Sequence, residues 1–213
     1  MPAHADRDLA FLRSADPDTG PGASEGQCYL YVLPSAGEDL LKLGFSRDPL
    51  GRMQALHPRY YEFFDLERGW LAQTDTVREA RRLERDLHRS LGEYNAPAPL
   101  TVRRAAAGHG EWYRGAYAGL LGESERLLGL GHTVHRPLRD WAGAELARQG
   151  ERLYDRGEAL LSQLQGEPGL LDDLALADLR RNLIDTLDAY PALALALELR
   201  LPEPLLHWYY AAR

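Results

Sequence analysis

C-Y-L-Y-V-L at residues 28–33, P-S-A-G-E-D at 34–39 and L-L-K-L-G-F at 40–45 form the stretch that decides the fold. The first part is aromatic and β-branched, the middle is turn-forming and the last is again apolar, so together they predict a hairpin of two strands. By the two-residue period of a strand, Tyr29 and Tyr31 share one face of the first, and Lys42 and Gly44 share one face of the second. The hairpin thereby sets a phenol beside an ammonium.

Downstream, Asp48-Pro49 marks a helix start, Leu50, Met53 and Leu56 follow at steps of three, and His57-Pro58 ends the helix because the residue before proline avoids helical backbone. A third strand is expected around Phe64 to Leu71, after which Thr74 or Asp75 caps a long helix over 76–91. Its apolar stripe, Val77, Ala80, Leu83, Leu87 and Leu91, faces the sheet, and Arg78, Arg82, Arg85 and Arg89 point elsewhere. Gly92 stops it. Residues 93–110 read as a loop, and G-E-W-Y-R-G at 110–115 as a compact closing element.

Beyond Ala116 the pattern turns to leucine-rich helical spacing at 117–130, 140–165, 169–189 and 191–200, punctuated by Gly and Pro. The fold class is therefore α+β, a small three-stranded antiparallel sheet flanked by helices and followed by an all-helical C-terminal region. The expected organisation is a flexible arm over 1–27, rich in Pro, Gly, Asp and Ser, a domain over 28–115 and the helical region over 116–213.

Composition narrows the function classes. With 213 residues, 45% hydrophobic and 27% charged, the chain can bury a sizeable core and is not wholly disordered. No run of eighteen apolar residues occurs, so no membrane span is expected and the protein is read as soluble and cytoplasmic. A single cysteine, Cys28, excludes an internal disulfide and a zinc site built mainly of thiolates. Net charge is −7, distributed as −3 over residues 1–27, +1 over 28–115 and −5 over 116–213. The bulk basic charge of a sequence-indifferent nucleic-acid binder is missing, so any phosphate contact has to be local.

The polar residues that a small sheet and two helices can bring together are Tyr29, Tyr31, Lys42, Gly44, Arg52, Glu84 and His88. Glu84 and His88 lie four apart on one helix face, beside the apolar stripe, where a carboxylate can reach over a sheet.

The ordered set C-Y-L-Y-V-L, K-L-G-F-S-R-D-P-L-G-R, A-R-R-L-E-R-D-L-H and G-E-W-Y, over roughly residues 28–115, resembles the GIY-YIG nuclease superfamily. More narrowly it is similar to the phage and bacterial branch that reads Y-V-Y-V-L, K-I-G, D-P-x-x-R, L-E-x-x-L-H and E-W-F. The resemblance implies metal-dependent hydrolysis of DNA phosphodiesters, with Tyr31, Arg52 and Glu84 as the site tyrosine, arginine and metal-binding glutamate, and Gly44 as the glycine of the second motif. Tyr29 stands in place of the first motif's glycine, and Lys42 in place of the second motif's tyrosine.

On this reading Glu84 holds Mg²⁺ or Mn²⁺, which polarises a non-bridging oxygen and stabilises the leaving oxygen. Arg52 offers parallel donors to the charge building on the phosphoryl group. Tyr31 as general base needs a neighbouring cation, since a free phenol titrates near ~10, and our own inference is that Lys42 is that cation. Gly44 lets the substrate backbone or the next helix approach closely. His88 is a positioning group, a proton shuttle or an ordinary residue near a helix end. Arg81, Arg82, Arg85, Arg89, Arg103 and Arg104 are the expected phosphate contacts, and Tyr60, Tyr61 and Trp112 the expected base-stacking groups.

Glu111, Trp112 and Tyr113 read as a packing element near the site, with Glu111 paired to an arginine. His57 and His109 read as exposed, His132 and His135 as no metal site, and Leu205, Leu206, Trp208, Tyr209 and Tyr210 as a packed tail. The helical region would serve substrate choice, homodimer formation or a protein partner. Two rivals remain: a catalytically weak or inactive module that binds nucleic acid or protein, favoured by the net negative charge, and a toxin or defence protein whose nuclease is held in check by its own acidic arm or by a partner.

Overall fold

The computed structural model describes residues 25–102 and 110–213. The chain divides into two compact units, one through Arg139 and one from Asp140 to Arg213. The α+β class holds, but the sheet has six strands rather than three.

In the first unit β1 (Glu25–Pro34) is central, paired antiparallel with β2 (Leu41–Ser46) and with β3 (Trp70–Thr76). Two-residue strands extend the sheet: β4 (Asn95–Ala96) and β5 (Trp112–Tyr113) lie outside β2, and β6 (Val134–His135) lies outside β3. The spatial order is β4-β5-β2-β1-β3-β6. β1 begins at Glu25, three residues before the expected start at Cys28, because Glu25 pairs with Thr76 across a register shift. The arm's residues 1–24 lie outside the described ones.

Both faces of the central strands are buried. Leu30, Val32, Leu41, Leu43, Trp70 and Ala72 form one core with Leu83 and Leu91 of the long-helix region and with Leu120 and Leu127 further on. That face is covered by α3 (Val77–Ser90) and α4 (Tyr117–Gly129). On the other face Tyr31, Leu33 and Lys42 are equally inaccessible. There α1 (Pro49–Leu56) buries Leu50, Met53 and Leu56, with the single-turn α2 (Tyr60–Phe63) beside it. Asp48 caps α1 by accepting from Gly51 N at 2.9 Å, and His57 before Pro58 is extended, as the proline restriction requires.

The third strand is displaced from the expected Phe64–Leu71. Residues 60–63 are helical, and Asp65 Oδ1 accepts from Glu67 N and Arg68 N to make a turn, so the strand starts only at Trp70. It therefore also ends later, and the helix cap is Thr76, whose hydroxyl accepts from Glu79 N at 3.2 Å. Thr74 is instead a buried strand residue donating to Cys28 O. β6 and α4, residues expected to belong to the helical region, complete the first unit.

The second unit is helical, with α5 (Leu138–Arg148) leading into it, then α6 (Gly150–Gln163), α7 (Ala177–Ala192) and α8 (Glu203–Ala211). The segment expected as one helix over 140–165 is broken between α5 and α6, and residues 194–200 are turns rather than helix. Leu205, Trp208 and Tyr209 are buried and Tyr210 is exposed, so the aromatic tail is largely core. Tyr209 donates to the buried Asp188 carboxylate at 2.6 Å, which also faces Arg213 at 3.4 Å. No described helix is long and apolar enough to cross a membrane.

Candidate functional site

The register of the hairpin places Tyr31 opposite Gly44 and Leu33 opposite Lys42, so Tyr31, Lys42 and Gly44 share one face. The phenol of Tyr31 lies across Gly44: a side chain there would bring its Cβ to 2.6 Å from Cζ of the ring. What approaches Gly44 is therefore the tyrosine itself, and the glycine shapes the site by making room for it. From α1, Arg52 donates through Nε to the Tyr31 hydroxyl at 3.4 Å.

Lys42 is wholly inaccessible to solvent, and its Nζ donates to Glu111 Oε2 at 2.6 Å. This corrects one expectation, since Glu111 pairs with the chain's one lysine rather than with an arginine. The cation hydrogen-bonded to the Tyr31 phenol is Arg52. The ammonium also stands 5.8 Å from the Trp112 ring centre. Trp112 is fully buried and Tyr60 nearly so, so neither can stack on a nucleobase.

Glu84 projects from α3 and is 8% exposed. His88, one turn on, brings Nε2 to 3.5 Å from Glu84 Oε1, while its Nδ1 is hydrogen-bonded to the Tyr113 hydroxyl and its ring stacks on that phenol at 5.7 Å. Glu84, His88 and Glu111 each offer one ligand atom within 4.8 Å of the other two. Among the described residues this is the one such trio. An α-helix and the residue before β5 thus converge on one point.

Burial sets the proton affinities. It pushes the Tyr31 phenol up to about 12, against the pull of Arg52. It pushes Lys42 down, opposed chiefly by Glu111, and pushes Glu84 up, opposed chiefly by the hydrogen bond from His88. Arg52, Glu111 and Glu84 all act electrostatically on Tyr31, which marks the group as one site.

Of the remaining expected residues, Arg81, Arg82, Arg85 and Arg89 are exposed on α3, with Arg81 over the Phe45 ring and Arg89 beside Asp86 at 3.4 Å. Arg103, Arg104 and His109 lie outside the described residues. Tyr29 accepts from Gln27 through its hydroxyl, and its ring faces His135. His57 is half-buried and stacked on Phe63 at 4.5 Å, rather than exposed. His132 hydrogen-bonds Gln73 O at 3.1 Å and faces Glu79, and it belongs to no ligand trio.

Glu111 and Tyr113 are the site members that sequence reasoning placed outside the chemistry. Their signal was the G-E-W-Y motif itself, whose partners lie 69 residues back for Glu111 and 25 back for Tyr113.

Residues 28–127 match the T5orf172 domain family, a span that contains every member of this cluster. No curated protein and no solved structure matches the chain.

Proposed function

We propose that residues 28–127 form a metal-dependent endonuclease that hydrolyses DNA phosphodiester bonds. The observation that carries this reading is the convergence of Glu84, His88 and Glu111 next to the Arg52–Tyr31 pair. The T5orf172 match supports it, because that family is associated with GIY-YIG-like, nuclease-type phage domains.

The donor set fits a hard or borderline divalent ion: two carboxylates, one of them buried, and an imidazole. Glu84 would hold Mg²⁺ or Mn²⁺, and a bound ion supplies charge neutralisation at a phosphoryl oxygen. The chain's own groups do the rest. Arg52 contributes a permanent positive charge whose planar fork matches two phosphoryl oxygens and strengthens as charge builds on them. Tyr31 keeps its proton at neutral pH, and its buried hydroxyl, accepting from Arg52 Nε, positions the guanidinium, while Arg52 draws it toward phenolate. Lys42 holds Glu111 in place from inside the fold. The exposed arginines of α3 give the local phosphate contacts that the net charge of −7 does not.

The test is nicking of supercoiled plasmid in Mg²⁺ or Mn²⁺ by wild type, Glu84→Ala and Arg52→Ala. The expected result is metal-dependent nicking that each substitution lowers by roughly 100-fold or more. A folded wild type that leaves plasmid, linear, branched and single-stranded DNA intact overturns the reading in favour of a binding module.

A further inference from the structure

We infer that the ion site takes a first-row transition ion of the Mn²⁺ class in preference to Mg²⁺, with His88 Nε2 as a direct ligand beside Glu84 and Glu111 and Tyr113 as its positioning residue. The inference rests on the placement of a divalent ion at Glu84 in the nuclease reading above. It adds which other side chains bind that ion and which ion they select.

The geometry starts with the imidazole. Tyr113 engages Nδ1 and stacks on the ring, so the ring is held from one side and Nε2 is the nitrogen turned to Glu84, 3.5 Å from its Oε1. A ligating histidine characteristically has its second ring nitrogen fixed by a hydrogen-bonding neighbour, which sets the tautomer and aims the first. Tyr113 is itself tied down, since β5 pairs with both β2 and β4. His88 is 24% exposed at its side chain, so an ion can reach it without unfolding α3.

The carboxylates are fixed as firmly. Glu84 is on the buried side of α3, and Glu111 is anchored by Lys42 at 2.6 Å. The three ligand atoms lie within 4.8 Å of one another, close to the roughly 3–4.5 Å that separates atoms bound to one ion at about 2.1 Å. Small side-chain rotations close the set.

Ligand chemistry then decides the ion. Mg²⁺ gives up its waters reluctantly and favours oxygen, so an imidazole in the set adds little to its affinity. First-row transition ions accept imidazole nitrogen readily, and Mn²⁺ is the member of that series that also suits carboxylates and water. A Glu-His-Glu set therefore discriminates through its nitrogen.

Mn²⁺ and Mg²⁺ binding to the full chain should be measured by calorimetry, with electron spin-echo spectroscopy of the Mn²⁺ form. We expect Mn²⁺ to bind at least tenfold tighter than Mg²⁺, with modulation from a directly bound ¹⁴N. His88→Gln should remove that modulation and bring the two affinities within about threefold, leaving Mg²⁺ affinity nearly unchanged. Tyr113→Phe should keep the nitrogen signal and weaken Mn²⁺ by roughly tenfold. Glu84→Gln should abolish both ions. Circular dichroism of each variant checks that it is folded.

Equal affinities in the wild type, an unchanged ratio in folded His88→Gln, or no ¹⁴N modulation overturns the inference. Tight Mn²⁺ with the nitrogen signature in a protein that cuts no DNA upholds the site and overturns the nuclease reading. Nicking that is equal in both ions and indifferent to His88 does the reverse.

Discussion

Replacing Gly44 by alanine tests the link between the hairpin register and the site. The added methyl would sit 2.6 Å from Cζ and 3.0 Å from Cε2 of Tyr31, well inside van der Waals contact. Tyr31 is 2% exposed and has no solvent to swing into, so strand or ring must shift. Overpacking of this kind costs about 1–3 kcal/mol, which outweighs the ~0.5–1 kcal/mol that alanine otherwise gains over glycine in a strand. Taking a net ~1 kcal/mol, and roughly 2–4 °C per kcal/mol for a chain of this size, Tm should fall by about 2–4 °C. The displaced phenol also leaves Arg52, so nicking should fall with stability.

The assay is a double-mutant cycle, with thermal unfolding of wild type, Gly44→Ala, Tyr31→Ala and the double variant. With the ring removed, Gly44→Ala should be neutral or slightly stabilising, so the coupling should equal nearly the whole cost. An unchanged Tm in the single variant refutes the reasoning, as does a cost that persists without the ring. If DNA affinity alone falls, the glycine serves the substrate rather than the tyrosine.

Two further predictions concern buried ionisable groups. The folded-state phenol of Tyr31 is raised to about 12 against an ordinary 10, so its contribution to stability is intact below pH 10 and lost as pH rises through 12. Denaturant unfolding at pH 9 and 11.5 should show Tyr31→Phe losing about 2 kcal/mol less than wild type, and parallel losses would count against the burial account. Glu84 is also raised by burial, so its stabilising contribution is present at acid pH and lost as pH climbs through its folded-state value. Glu84→Gln keeps an acceptor for His88, and it should raise the metal-free Tm at pH 7 while abolishing nicking. A lower Tm in that variant would show the carboxylate to be favourably held as an anion.

Much of the fold was legible because its signals are local. The hairpin follows from two apolar runs around a turn, α1 from Asp48-Pro49 and the Leu50-Met53-Leu56 spacing, and α3 from a stripe with period near 3.6. The displaced third strand was not legible. Tyr60–Phe63 carries the aromatic composition of a strand, and the Asp65 turn that delays pairing until Trp70 competes with that propensity through two side-chain hydrogen bonds. Over residues 194–200, alanine and leucine likewise keep helical spacing past the end of α7, although the chain there makes turns. The short strands β4, β5 and β6 have two residues each, too few to show any period.

The sequence by itself determined the kinds of group in the site and the elements that carry them: Tyr31 and Lys42 on a hairpin, Arg52 on the following helix, Glu84 and His88 one turn apart on the next. Only the tertiary structure decided which of them meet. It gave Tyr31 to Arg52, gave Lys42 to Glu111, and set Tyr113 behind His88. The physical reason is range: helix and strand periodicity couple residues a few positions apart, whereas these pairings span 21 to 69 residues and the last two depend on β5 closing on β2. Burial, too, exists only in the folded chain, and it is burial that raises the Tyr31 phenol and the Glu84 carboxyl while lowering the Lys42 ammonium.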